Sequence, residues 1–276
     1  MRLVHTVAEL RVVLAGPHRA GRLALVPTMG ALHEGHARLF QLARAECDAV
    51  AASIFVNPAQ FNDPADLAAY PRQEKRDAAM AAEAGVDVLF IPHAEEVYRP
   101  GHATTIEVGG AALGFEGDHR PGHFNGVALV CLKLFSMVQP HVAYFGQKDA
   151  QQVAVIRQMV RDLNLPLQIR VVPTVRDDHG LALSSRNGRL SVAEMARALA
   201  VPHALRAAVA AHRRRADPIA AARAVLVDLP VEYLAVTVLD GMPTLVVAVR
   251  VGQTRLIDNV PLDHPDLAGL ADRDAQ

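Results

Sequence analysis

Short runs of nearly continuous apolar residues alternate with stretches of helical periodicity through the first two-thirds of the chain. The apolar runs fall at 23–28, 50–56, 86–91, 104–108, 141–145 and 167–174, and each predicts a strand. Helical patterns occupy 35–47, 74–84, 125–138 and 149–163, between several of those runs. Strands that are apolar on both faces need cover on both faces. The alternation therefore predicts an α/β domain over residues 1–174, built on a doubly wound parallel sheet. Ligands of such sheets bind beyond the carboxyl ends of the strands. At the N-terminus, Thr6 and Glu9 have capping-box spacing and predict a helix start.

The texture changes after residue 174. A loop at 176–187 leads to an Ala/Arg-rich helical region from Ser191. Three β-like runs follow at 231–239, 244–251 and 254–260, with Asp240-Gly241 and Gly252-Gln253 as the turns between them. Residues 175–276 thus predict a smaller α+β domain, and the polar tail after Pro261 is expected to fray.

Composition narrows the function classes. No stretch of the 276 residues approaches the ~18 uninterrupted apolar positions of a membrane helix. Glu9 and Arg11 break the N-terminal apolar stretch, so it does not read as a signal peptide, and a soluble cytoplasmic protein is expected. Lys+Arg total 28 against 29 Asp+Glu, which lacks the basic excess of a nucleic-acid binder. The single basic run, Arg213-Arg214-Arg215, reads as a solvated helix face. Cys47 and Cys131 lie far apart in helical patterns and suggest neither a disulfide framework nor a zinc site. Lysine survives only at Lys75, Lys133 and Lys148, and a lysine kept among arginines can mark a need for a compact point charge.

The candidate chemistry sits where strands end. The first run leads into Pro27-Thr28-Met29-Gly30-Ala31-Leu32-His33-Glu34-Gly35-His36. Two histidines three apart at a helix start point the same way. Gly35 permits close backbone approach, and a helix N-terminus offers N–H groups and a positive dipole end. Imidazole donors there suit a polyphosphate whose charge grows as a bond breaks. The same pair could cap the helix with no ligand, or share a zinc ion. The spacing is not His-Glu-x-x-His, which argues against a metalloprotease.

Four further segments are candidates. Asn57 and Gln60 follow the second run, in Phe55-Val56-Asn57-Pro58-Ala59-Gln60-Phe61. Arg120-Pro121-Gly122-His123-Phe124 turns into a helix. Gly146-Gln147-Lys148-Asp149-Ala150-Gln151-Gln152 puts an ammonium at a strand end, with Asp149 able to take ribose hydroxyls or to cap the helix. Ser184, Ser185 and Arg186 place two hydroxyls and a guanidinium in one loop, a phosphate clamp or a capping segment.

His33-Glu34-Gly35-His36 resembles the HxGH signature of the nucleotidyltransferase superfamily, which includes class I aminoacyl-tRNA synthetases. Residues 27–36 are similar to the signature of the pantothenate synthetase family in particular. Residues 55–61 resemble its FVNPxQF motif, 66–72 its DLxxYPR stretch, and 120–127 with 133–135 its RPGHFxGV and KLF. Residues 144–152 resemble YFGxKDxQQ, departing at Gln147 and Ala150, both expected to be peripheral. Residues 180–187 look like GLAxSSRN, a counterpart of the KMSKS loop, and 254–259 like TRLIDN.

The resemblance implies a Rossmann-like sheet and an ATP-dependent ligase that joins pantoate to β-alanine through a pantoyl-adenylate. It implies ATP as substrate, Mg²⁺ and a homodimer. His33, His36, Lys148 and Arg186 would be catalytic. Met29, Gly30, Ala31, Leu32, Glu34 and Gly35 would join the two histidines around ATP. Gly146, Gln147, Asp149 and the backbone of Val175 would hold the nucleoside, and Leu183, Ser184 and Ser185 would close over the phosphates. Gln60 and Gln152 would take pantoate, Gln60 also β-alanine, and Asp77 would hold Mg²⁺ through water. Three alternatives stand beside this at the level of sequence: a dinucleotide-forming adenylyltransferase, a metal-dependent hydrolase and a non-catalytic nucleotide-binding module.

Overall fold

The computed structural model describes residues 1–16 and 21–263. Beyond Asp263 the polar tail expected to fray lies outside the described residues. The chain forms two compact units. One holds Met1–Gly146 and Gln151–Val172; the other holds Gln147–Ala150 and the chain from Pro173 onward.

The first unit is built on six parallel strands: β1 (Arg2–Val4), β2 (Leu23–Thr28), β3 (Ala49–Ile54), β4 (Val88–Phe90), β5 (Val142–Gly146) and β6 (Gln168–Val172). Their order in the sheet is β1-β4-β3-β2-β5-β6. The central strands are almost wholly buried, as their predominantly apolar sequences require. Two apolar clusters flank the sheet, one around Leu25, Phe90 and Phe135, the other around Val26, Phe40 and Tyr144. Thr6 and Glu9 form the capping box of the first helix, Val7–Ala15.

Strand order reverses between β2 and β5, which is the switch point where a ligand crevice opens in such sheets. Pro27 helps to open it. The pairing of β2 with β5 stops at Leu25–Ala143, while β2 continues beside β3 to Thr28–Ile54. Proline has no N–H to extend a ladder.

Two readings from the periodicity change. Residues 104–108 form no strand. Their β-rich composition finds no sheet neighbour, and the Val108 N–H goes instead to the Asn125 side chain, at 3.0 Å. Conversely β1, three residues long, was too short to leave a periodic signal. It adds to the sheet edge through Arg2–Val88 to Val4–Phe90.

The second unit carries helices Val192–Ala198, Ala200–Arg213 and Pro218–Val225 and an antiparallel sheet. That sheet is β7 (Val231–Leu239), β8 (Met242–Val251) and β9 (Thr254–Pro261), in that order. Asp240 and Gly241 both have positive φ, 58° and 78°, the conformation of a two-residue hairpin turn. One helical face, with Leu205 and Val209, packs with Leu245, Val247 and Val249 of β8 in a single core.

Candidate active site

The loop after β2 is held in an unusual backbone shape. Gly30 and Ala31 both have positive φ, 82° and 51°. A Cβ at Gly30 would lie 3.0 Å from both Asp77 and Ile54. Asp77 fixes the loop: its two oxygens accept the N–H groups of Ala31 and Leu32, at 2.8 and 2.9 Å. Asp77 comes from the helix Glu74–Glu83 and is only 1% exposed.

That geometry gives Asp77 a role in holding the loop. Both of its oxygens are engaged by backbone N–H groups, and almost none of its surface is exposed. Among the described residues no group of three or more His, Cys, Asp or Glu could hold a metal ion.

The loop delivers His33 to the N-cap of the helix Glu34–Glu46. His33 Nδ1 accepts the Gly35 N–H at 3.2 Å, and His36 Nδ1 accepts the His33 N–H at 3.2 Å. The pair forms a reciprocal capping box. Capping and ligand binding, alternatives in the sequence, are here compatible. An Nδ1 that accepts a hydrogen bond cannot carry the ring proton, so in each neutral ring the proton is assigned to Nε2. The cap thereby sets both histidines as Nε2–H donors at a positive helix end. Their ring centroids are 4.1 Å apart, and both side chains are half-buried.

Gln60 ends the short turn Pro58–Gln60 after β3 and is buried. Its Oε1 accepts from Asn57 Nδ2 at 2.9 Å, and its Nε2 donates to Met29 Sδ at 3.1 Å. Asn57 is itself fixed. It donates to the Gly126 carbonyl at 3.1 Å and accepts from the Tyr98 hydroxyl at 2.8 Å and the Ala59 N–H at 3.2 Å. Every amide atom of Asn57 thus has an assigned direction, and the Gln60 amide is oriented with its NH₂ outward from that network. The Arg120-Pro121-Gly122-His123 turn supports the same residue. Arg120 and His123 both donate to the Gln60 carbonyl, at 3.2 and 2.8 Å. A Cβ at Gly126 would meet the Ala59 carbonyl, which is why the helix His123–Val138 can approach this turn.

Tyr98 was not singled out by sequence reasoning. Nothing local marks it, since its partner Asn57 is 41 positions away. Burial pushes its hydroxyl up to about 12, aided by nearby Cys131, against the opposing bond to Asn57. It stays a donor throughout the neutral range. Lys133 Nζ lies 5.5 Å from the centre of its ring.

On the helix Ala150–Asp162, neighbouring glutamines divide the work. Gln151 is buried, accepts from the Glu116 N–H and donates to three backbone carbonyls of residues 111–114. Gln152 is half-buried, and no hydrogen bond ties its amide among the described residues.

In the second unit, the turn Gln147–Asp149 carries Lys148, whose side chain is 19% exposed with Nζ 3.7 Å from Asp149 Oδ1. Gln147, expected to be peripheral, donates from Nε2 to Asn259 Oδ1 at 3.2 Å. Ala150 is buried. The loop with Leu183–Arg186 is pinned at its base. Leu183 N–H bonds to the Val175 carbonyl at 2.9 Å, Arg176 pairs with Ala182 across a β-bridge, and Ser184 Oγ accepts the Arg186 N–H at 3.2 Å. Arg176 forms a bidentate pair with Asp258 at 2.6 and 3.1 Å, both side chains buried. The TRLIDN match was the sequence signal for Asp258 and Asn259, but it did not show what they touch.

The family model described as pantoate-β-alanine ligase matches residues 2–261. A pantothenate synthetase of Cereibacter sphaeroides is 49% identical, over 94% of this chain and 99% of its own length. One of Chloroflexus aurantiacus is 50% identical, over 94% and 97%. The crystal structure of pantothenate synthetase from Thermus thermophilus superposes with a TM-score of 0.89 at 44% identity, over 95% of this chain and 99% of that one. A pantoate-β-alanine ligase from Francisella tularensis, solved in complex with β-γ ATP and β-alanine, gives 0.84 at 34% identity, over 96% and 98%. The capped histidine pair, the switch-point sheet and a match running almost end to end agree: this chain belongs to the pantoate–β-alanine ligase family.

Proposed function

We propose that the chain condenses pantoate with β-alanine using ATP, through an enzyme-bound pantoyl-adenylate, and releases pantothenate, AMP and pyrophosphate. The observation that carries this reading is the pair of Nε2–H donors that capping fixes at His33 and His36, beside the switch point.

In the first step a pantoate carboxylate oxygen attacks the α-phosphorus of ATP in line with the departing pyrophosphate. Charge grows on the leaving phosphates. Fixed donors aimed at growing charge stabilise a transition state more than a ground state. His33, His36, Lys148 and Arg186 are the groups assigned to that charge. The remaining loop residues named above, from Met29 to Gly35, from Gly146 to Asp149, and Val175 with Leu183 to Ser185, frame the nucleotide in the same reading. Gln60 and Gln152 orient pantoate. An amide NH₂ holds a carboxylate or hydroxyl without the full charge of a guanidinium, so the attacking oxygen keeps its nucleophilicity. The network around Asn57 fixes which end of the Gln60 amide is offered.

In the second step the neutral amine of β-alanine attacks the acyl carbon and AMP departs with the mixed-anhydride oxygen. Gln60 is assigned to β-alanine as well. Mg²⁺ would accompany the nucleotide and offset phosphate charge, and the family resemblance assigns Asp77 to it through water. Assembly as a homodimer in the cytoplasm belongs to the same reading and rests on the family resemblance. No helix among the described residues is long and apolar enough to cross a membrane. A dinucleotide-forming adenylyltransferase needs no acid site, and the oriented Gln60 favours the ligase. Release of AMP from ATP that requires both pantoate and β-alanine tests the reaction; release without pantoate would refute it.

A further inference from the structure

We propose that Asn259 is a positioning residue for Lys148. This deepens the phosphate role given to Lys148 above and rests on it. Lys148 sits in a three-residue 3₁₀ turn, Gln147–Asp149. Such turns have poor hydrogen-bond geometry and hold their shape weakly alone. Lysine adds a flexible four-carbon stem, so the place of its ammonium depends on how firmly its backbone is fixed. Asn259 supplies that fixing from β9. Its Nδ2 donates to the carbonyls of both Gln147 and Lys148, at 2.9 and 2.8 Å, and its Oδ1 accepts from Gln147 Nε2 at 3.2 Å. Asn259 is 4% exposed, so these bonds are largely shielded from bulk solvent.

The mount continues through the second unit. The Asn259 N–H donates to Asp258 Oδ1 at 2.8 Å. Asp258 takes the bidentate pair from Arg176, and Arg176 also donates to the Gly180 carbonyl at 3.1 Å. A continuous line of hydrogen bonds thus runs from the Lys148 backbone to the base of the loop that carries Ser184, Ser185 and Arg186. Two segments far apart in sequence, both assigned to phosphate, share one support. This accounts for the grouping of Gln147–Ala150 with the second unit, although β5 of the first unit ends one residue earlier.

The test measures pyrophosphate exchange into ATP for Asn259→Ala and Asn259→Asp, alone and combined with Lys148→Ala. Asn259→Asp keeps the shape of the side chain and removes both donors. We expect each single Asn259 change to lower kcat about tenfold, with a smaller change in KM for ATP. In the Lys148→Ala background the same changes are expected to cost less than about twofold, because they act through a side chain already removed. A direct readout uses lysine labelled with carbon-13 at Cε. The chain has only Lys75, Lys133 and Lys148, so three resonances report all its lysines. Adding ATP is expected to shift the Lys148 resonance in the parent protein and to shift it less in Asn259→Asp, with Lys75 and Lys133 unmoved by the substitution. Full additivity with Lys148→Ala, or an unchanged ATP response of Lys148 in both variants, overturns the proposal. If Lys148→Ala alone leaves exchange intact, the phosphate role of Lys148 falls and takes the proposal with it, a failure distinguished by the single Lys148 variant.

Discussion

His33 and His36 lie with ring centroids 4.1 Å apart at one helix start, each accepting a backbone N–H on Nδ1. The cap uses the Nδ1 edge of each ring, and the proposed phosphate role would use the Nε2 edge. They can be separated by substitution. Asparagine is a good N-cap, so His33→Asn should retain the cap acceptor while losing Nε2–H. We expect His33→Asn to stay within about 1 kcal/mol of the parent in urea unfolding, yet to lose about a hundredfold in kcat. His33→Ala should lose both. Equal losses of stability and activity across the two variants would mean that the histidine only caps.

Lys148 and Lys75 provide an internal contrast. Lys148 is largely buried in the turn at the end of β5, whereas Lys75 is exposed in the first turn of the helix Glu74–Glu83. Lys148→Ala should lower kcat by about a hundredfold or more, and Lys148→Arg should recover only part of that, because the guanidinium fork differs in reach and shape. Lys75→Ala should be silent. Equal, mild effects at both positions would remove Lys148 from the chemistry.

Tyr98, Asn57 and Gln60 form a chain that orients the Gln60 amide. Tyr98→Phe keeps the ring packed against Phe55, 6.2 Å away, and removes the hydroxyl. Losing that bond should cost about 1 kcal/mol of pantoate binding, seen as a severalfold rise in KM for pantoate with KM for ATP unchanged. A parallel rise in both constants would place the effect elsewhere.

Alkaline stability follows from the same neighbourhood. Burial raises the Cys131 thiol from 9 to about 12, and burial raises the Tyr98 hydroxyl from 10 to about 12. Both groups are neutral when protonated. Raised folded-state values mean that their contribution is complete below pH 9, falls as the unfolded chain begins to lose these protons, and is gone near pH 12. Urea midpoints between pH 9 and 12 should fall less steeply in a Cys131→Ala, Tyr98→Phe protein than in the parent. An identical slope would contradict the assignment.

The pair Arg176–Asp258 is buried on both sides, at 8% and 1% side-chain exposure. Removing one partner strands the other charge. Asp258→Ala should destabilise the chain by about 3–5 kcal/mol in chemical unfolding. A change below about 1 kcal/mol would mean that water reaches the pair.

The architecture was legible because parallel strands buried on both faces announce themselves as apolar runs. All central strands appeared in that way, and Asp240-Gly241 marked its hairpin through a backbone shape that few residues adopt. The runs failed where tertiary pairing decides. Residues 104–108 have strand composition but no neighbour, and β1 exists only through its register with β4. At the site, residues in strand-end motifs were legible, but their partners were not. Asp77 fastens the β2 loop from a helix more than forty positions away, and Asn259 reaches Lys148 from the last strand. Gln147 departs from the family pattern and was expected to be peripheral, yet its amide makes one of the three Asn259 side-chain bonds to the turn. Such long-range bonds leave no local periodicity.

The most direct test of the adenylate is isotope exchange without β-alanine. Labelled pyrophosphate should enter ATP when pantoate is present and not when it is absent. Oxygen-18 placed in the pantoate carboxylate should appear in AMP after the full reaction. Gln60→Ala and Gln152→Ala should suppress exchange while leaving ATP binding largely intact. ADP as the product, or carboxylate oxygen arriving in orthophosphate, would place the attack at the γ-phosphorus and contradict the roles assigned to His33 and His36.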